Sequence, residues 1–111
     1  MKTYRTTGGI IATLAITFTA AFGKTIPNYA EADLVLGQAD FISKLTLFPP
    51  NAASLRTPTS VIVDPVSRKV FVAEDGNNRV LRYASANSLA SGAAAEAVFG
   101  QDAFTTRVTG V

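Results

Sequence analysis

The chain has no cysteine, no histidine and no tryptophan, and charged residues make up only 16% of its 111 positions. Without cysteine there can be no disulfide, no thiolate nucleophile and no lipid-attachment thiol. Without histidine the commonest general base and the commonest zinc ligand are both missing. No serine or threonine has an evident base partner, and no paired carboxylates stand out, so nucleophilic and two-carboxylate chemistry lack their parts. Stability has to come from packing, which is modest in a domain of this size.

Long apolar runs are scarce too, with one exception. Residues 10–22 read IIATLAITFTAAF, behind a short stretch in which Lys2 and Arg5 are the only charges. Such a run spans about two-thirds of a hydrocarbon core as a helix at ~1.5 Å per residue. A basic segment, a short apolar core and small residues at Ala21 and Gly23 match a secretory signal peptide over residues 1–23, with cleavage expected after Gly23. An uncleaved membrane anchor and a buried helix are the competing readings. On the first, the protein is secreted or periplasmic and keeps no stable membrane anchor. Lys2 and Arg5 also supply the whole formal excess of +2, so the chain from Lys24 onward is neutral and has no general attraction for nucleic acid.

Residues 24–32 form a polar lead-in containing Pro27. Leu34, Val35 and Leu36 read as a short strand ended by Gly37. Residues 40–54 include Pro49 and Pro50 and predict a long surface loop. Val61, Ile62 and Val63 are a β-branched strand closed by Asp64 and Pro65. Residues 69–74 alternate as a strand should, residues 75–78 (Asp-Gly-Asn-Asn) suit a tight reversal, and residues 79–83 form the next strand. Three strands thus make a meander. Residues 85–95 are rich in alanine and serine, and Ser85 is placed to cap a helical turn reaching Leu89.

The segment 95–104 (AEAVFGQDAF) repeats 32–41 (ADLVLGQADF) at a constant offset of 63 residues. Ala32/Ala95, Val35/Val98, Gly37/Gly100, Gln38/Gln101 and Phe41/Phe104 are identical, and the frame extends to Lys44/Arg107, Leu45/Val108 and Thr46/Thr109. Repetition of a sheet-forming unit implies a solenoid or a propeller.

Taken together, these residues resemble the NHL repeat of exported bacterial proteins, across residues 33–104. Pro58, Val61, Val63, Asp64, Val72, Ala73, Asn77, Arg79 and Val80 fit its pattern, as do the Leu-Gly-Gln segments at Gly37, Gln38, Gly100 and Gln101. The departures are Ser60 in place of Gly, which is expected to strain a turn, Glu74 in place of Asp, and Ala39 where proline is common. The resemblance implies an all-β fold: a partial β-propeller of about one four-stranded antiparallel blade with flanking strands, residues 33–111 holding one nearly complete repeat and the start of the next. It also implies that Arg79 ties neighbouring strands or blades together. Since rings take about four to eight blades, a truncated frame or completion by other chains is expected, with self-association through unpaired strand edges.

Two constellations suggest more specific chemistry. Glu74, Asp75, Asn77 and Asn78 group oxygen atoms around Gly76, but without the alternating spacing of a calcium loop, so a hairpin turn is the expected role. Arg79, Arg82 and Tyr83 offer nucleic-acid-like stacking groups, yet the arginines fall on opposite faces of one strand. Gln38 and Gln101 recur with the repeat and are expected to bond backbone. Pro58, Asp64, Asn77, Asn78, Arg79 and Val80 are therefore structural motif residues first. No catalytic residue, metal ligand or cofactor is expected. The leading expectation is an exported, non-catalytic interaction module binding a protein, peptide or glycan, and not nucleic acid. The alternatives are the N-terminal piece of a metal-dependent propeller hydrolase or lyase, and a truncated remnant.

Overall fold

A computed structural model describes residues 26–44 and 46–109. The signal-peptide reading of residues 1–23 lies outside the described residues. Residues 26–30 belong to a separate N-terminal unit, with a turn in which the Ala30 N–H donates to the Pro27 carbonyl. The rest of the chain from Glu31 forms one unit.

Among its described residues that unit is all-β, with a single four-stranded antiparallel sheet in sequence order. The strands are β1 (Pro58–Val63), β2 (Lys69–Glu74), β3 (Arg79–Ser85) and β4 (Ala97–Phe99). Among the described residues there is no helix, and none long and apolar enough to cross a membrane. Each connection follows from local chemistry. In the β1–β2 turn the Asp64 carboxylate accepts from both the backbone N–H and the hydroxyl of Ser67, and Arg68 takes a positive φ of 61°. In the β2–β3 turn Asn78 takes a φ of 51°, as asparagine tolerates. Gly76 serves there for space, because a Cβ would come within 2.7 Å of the Arg56 carbonyl oxygen. Residues 86–88 make one turn, in which the Ser88 N–H donates to the Ser85 carbonyl, so the expected helical turn stays a turn.

Register sorts the side chains onto two faces. Val63, Val70 and Tyr83 lie in one row, and Val61, Val72, Leu81 and Val98 in the next. Val70, Val72, Leu81, Tyr83 and Ala95 form the buried core on this side, with Leu36, Leu55, Ala86, Leu89 and Phe104 packed against it. The opposite face carries Ile62, Phe71 and Arg82, and beside them Ala73, Val80 and Phe99. The rings of Phe71 and Phe99 lie 6.3 Å apart on it.

Two expectations are corrected. Residues 34–36 do not form a strand in this structure: among the described residues they pair with no strand, and Val35 instead donates to Ser91 Oγ and accepts from the Gly92 N–H. Ser60 does not strain a turn; it sits inside β1 after a bulge at Thr59, and the positive φ falls on Thr57 (53°).

Candidate functional site

Most of the sequence motif residues gather at one end of the sheet, around the β2–β3 turn. Strand alternation points Glu74 to the same side as Val70 and Val72, and Arg79 to the same side as Leu81 and Tyr83. The two charges meet in an ion pair from Arg79 Nε to Glu74 Oε1, both side chains fully excluded from water. Burial of this kind is tolerated when every polar atom is satisfied. Glu74 also accepts from Asn77 Nδ2 at 2.9 Å and from the Arg56 N–H at 2.8 Å. The guanidinium donates further to the carbonyls of Asn51 and Ser54, each at 3.0 Å, and to the carbonyl of Phe104. A single side chain therefore joins β3 to the loop before β1 and to the segment after β4.

The repeat motif residues take two further positions. Gly37 and Gly100, 63 residues apart, hold nearly identical φ angles of 83° and 84°. Gln101 binds backbone at three points, donating to the carbonyls of Asn78 and Val108 and accepting from the Val108 N–H, each at 2.9 Å. Gln38 lies half-buried in the lead loop beside Gly37. Asp64 stands at the opposite end of the sheet from the pair, and Pro58 opens β1 across from Glu74.

An open concavity of about 480 Å³ lies over the turn end. Ala73, Val80 and Phe99 supply apolar lining, and Thr59, Asp75 and Asn78 bring polar side chains. Glu74 and Arg79 also border it, but their charged groups are consumed by the contacts above. On the same face, away from the concavity, Lys69 and Arg82 both pair with Glu96, and Arg82 lies 6.0 Å from the centre of the Phe99 ring. The hydrogen bond and charge of the Lys69 ammonium, reinforced by Arg82 and opposed by burial, hold the Glu96 carboxyl below its usual range. Arg79 and Arg82 are thus on opposite faces, each engaged with carboxylate.

The Tyr83 hydroxyl is buried with no hydrogen-bond partner among the described residues. Burial, reinforced by the Glu74 charge and opposed by Arg79, pushes its pKa up to about 12. Among the described residues no three of histidine, cysteine, aspartate and glutamate gather as a metal site would require. No family model, curated protein or solved structure matches the chain.

Sequence reasoning weighed Glu74 as a turn or cation-binding residue and missed it as the partner of Arg79. The signal was present, since Glu74 falls in phase with Val70 and Val72. The Glu96 network and the orphan Tyr83 hydroxyl depend on contacts between distant segments and had no local signal.

Proposed function

We propose that this chain is an exported, non-catalytic interaction module of the NHL-repeat type, which holds an extended segment of a protein or peptide partner along β1. The observation that carries this reading is the state of β1. All six of its residues are exposed, Val61 and Ile62 at 65% and 66%, and among the described residues only one of its edges is paired. The Asp64 N–H donates inward to Lys69, so antiparallel alternation turns the N–H groups of Val61 and Val63 toward the free edge. An added strand gains main-chain hydrogen bonds there, and pockets for its side chains supply selectivity. The concavity at Thr59, Val80 and Phe99 adjoins this edge and is a suitable pocket, while the strongest charges nearby are committed to holding the fold.

The test is a screen of immobilised extended peptides beside a glycan array, followed by hydrogen exchange of the bound chain. Binding to peptide should slow exchange at Val61 and Val63, and Ile62→Lys should weaken it at least about tenfold without altering the far-UV circular dichroism. Glycan binding that leaves β1 exchange unchanged, or turnover of any ligand, would overturn the reading.

A further inference from the structure

The segment 34–36 is the sequence counterpart of β4, yet among the described residues it pairs with no strand, although Leu36, like Val98, packs on the core. Leu34, Val35 and Leu36 correspond to Ala97, Val98 and Phe99 at the 63-residue offset. The correspondence continues into backbone geometry, because the next residue is glycine in both copies, with φ of 83° at Gly37 and 84° at Gly100. Beyond it both copies close a turn with a hydroxyl at equivalent positions. Ser43 donates to Asp40 Oδ1 at 2.7 Å, and Thr106 donates to Asp102 Oδ1 at 2.8 Å. One copy pairs with β3 while the other lies irregular, Val35 making the only backbone hydrogen bonds of its three residues among the described partners.

We propose that residues 34–36 are a donor strand for a second copy of this chain, taking the place of β4 on that copy's β3. The register is set by the existing ladder. Val80 pairs with Phe99, Leu81 with Val98 and Arg82 with Ala97. In the exchanged arrangement Leu36 of one copy faces Val80 of the next, Val35 faces Leu81, and Leu34 faces Arg82. Val35 restores the identical side chain against the core, and Leu34 brings more apolar surface than Ala97.

The donor and acceptor surfaces of one chain are different patches, so reciprocal exchange closes a swapped dimer and one-way exchange builds larger rings or filaments. The resident β4 competes, since the short connection from β3 keeps it at an effective concentration of roughly millimolar. Exchange therefore rises with chain concentration. It is independent of whether β1 takes a peptide, because it uses the other edge of the sheet.

The native absence of cysteine makes the test direct. An isotope-labelled chain carrying Leu36→Cys is mixed with an unlabelled chain carrying Val80→Cys under mild oxidation, and dimer masses are read. Residues directly opposed in an antiparallel pair lie within disulfide reach. The expected result is a mixed dimer in excess over chance pairing, growing with concentration and abolished by Val35→Asp in the labelled chain. Chance-level mixing at every concentration, or an excess that survives Val35→Asp, overturns the proposal. Should either cysteine variant fail to fold, Leu34→Cys with Arg82→Cys reports on the same register with the same two outcomes.

Discussion

Arg79 and Glu74 stand opposite each other across the β2–β3 ladder, and both side chains are wholly shielded from water. A pair of this kind contributes little over a well-packed apolar pair, but leaving one member alone is costly. Glu74→Gln or Arg79→Ala should each lower unfolding free energy by about 3–5 kcal/mol. Arg79→Ala should be the worse, because the carbonyls of Asn51, Ser54 and Phe104 also lose their donor. The double variant Glu74→Gln/Arg79→Ala should cost clearly less than the sum of its parts. Urea denaturation of the four chains closes the cycle.

Tyr83 presents the opposite case, a buried hydroxyl with nothing to bond among the described residues. Removing an unsatisfied buried group relieves its desolvation cost, so Tyr83→Phe should be neutral or stabilising by up to about 1 kcal/mol. The same residue sets an alkaline limit. Its folded pKa of about 12 exceeds the ordinary 10.0, so between those values the folded state binds more protons than the unfolded. Stability is full below about pH 10 and falls as pH rises toward 12. The phenylalanine variant should lack that portion of the decline, as thermal melts across pH 9–12 would show.

Gly37 and Gly100 share a left-handed backbone but not their surroundings. A Cβ at Gly37 would lie 2.6 Å from Leu55 Cβ, whereas at Gly100 the nearest atom is the Asn78 carbonyl oxygen at 3.2 Å. Gly100→Ala should cost about 1–2 kcal/mol from backbone strain. Gly37→Ala should cost about 2–4 kcal/mol, the extra part coming from overpacking. Because alanine keeps the Cβ that clashes and Leu55 packs on the core, Leu55→Ala in the Gly37→Ala background should not recover the loss, which chemical denaturation can measure.

Acid should weaken the fold through its turns. Ser67 holds the Asp64 carboxyl below the ordinary 3.8, and Ser43 does the same for Asp40. Because these pKa values are depressed in the folded state, their contribution is present above about pH 4 and lost as pH falls through the folded values. Asp64→Asn should flatten part of the acid limb of a stability profile while lowering stability slightly at neutral pH. An unchanged acid limb would show that the Asp64 turn does not contribute.

How much of this was legible depends on range. The hairpin strands were readable because alternation and turn chemistry are local: Lys69–Glu74 is the strand that the pattern predicts, and Asp-Gly-Asn-Asn forms the reversal. Residues 34–36 misled because their apolar pattern specifies a strand only when a neighbour supplies the ladder. Arg79 was expected to tie strands or blades, yet its particular partners were hidden, since three of them are carbonyls of residues 25 or more positions away. Backbone acceptors leave no trace in side-chain identity.

The span of those carbonyls has a consequence for dissecting the chain. One guanidinium reads Asn51 and Ser54 upstream and Phe104 downstream, so its bonds close only when both flanks are present. A cut before Asn51 and a cut between β4 and Phe104 should behave differently under limited proteolysis. Trimming before Asn51 removes residues such as Leu36 that pack on the core but leaves the guanidinium saturated. Trimming between β4 and Phe104 strands a cation in the interior, and the remaining strands should then come apart together.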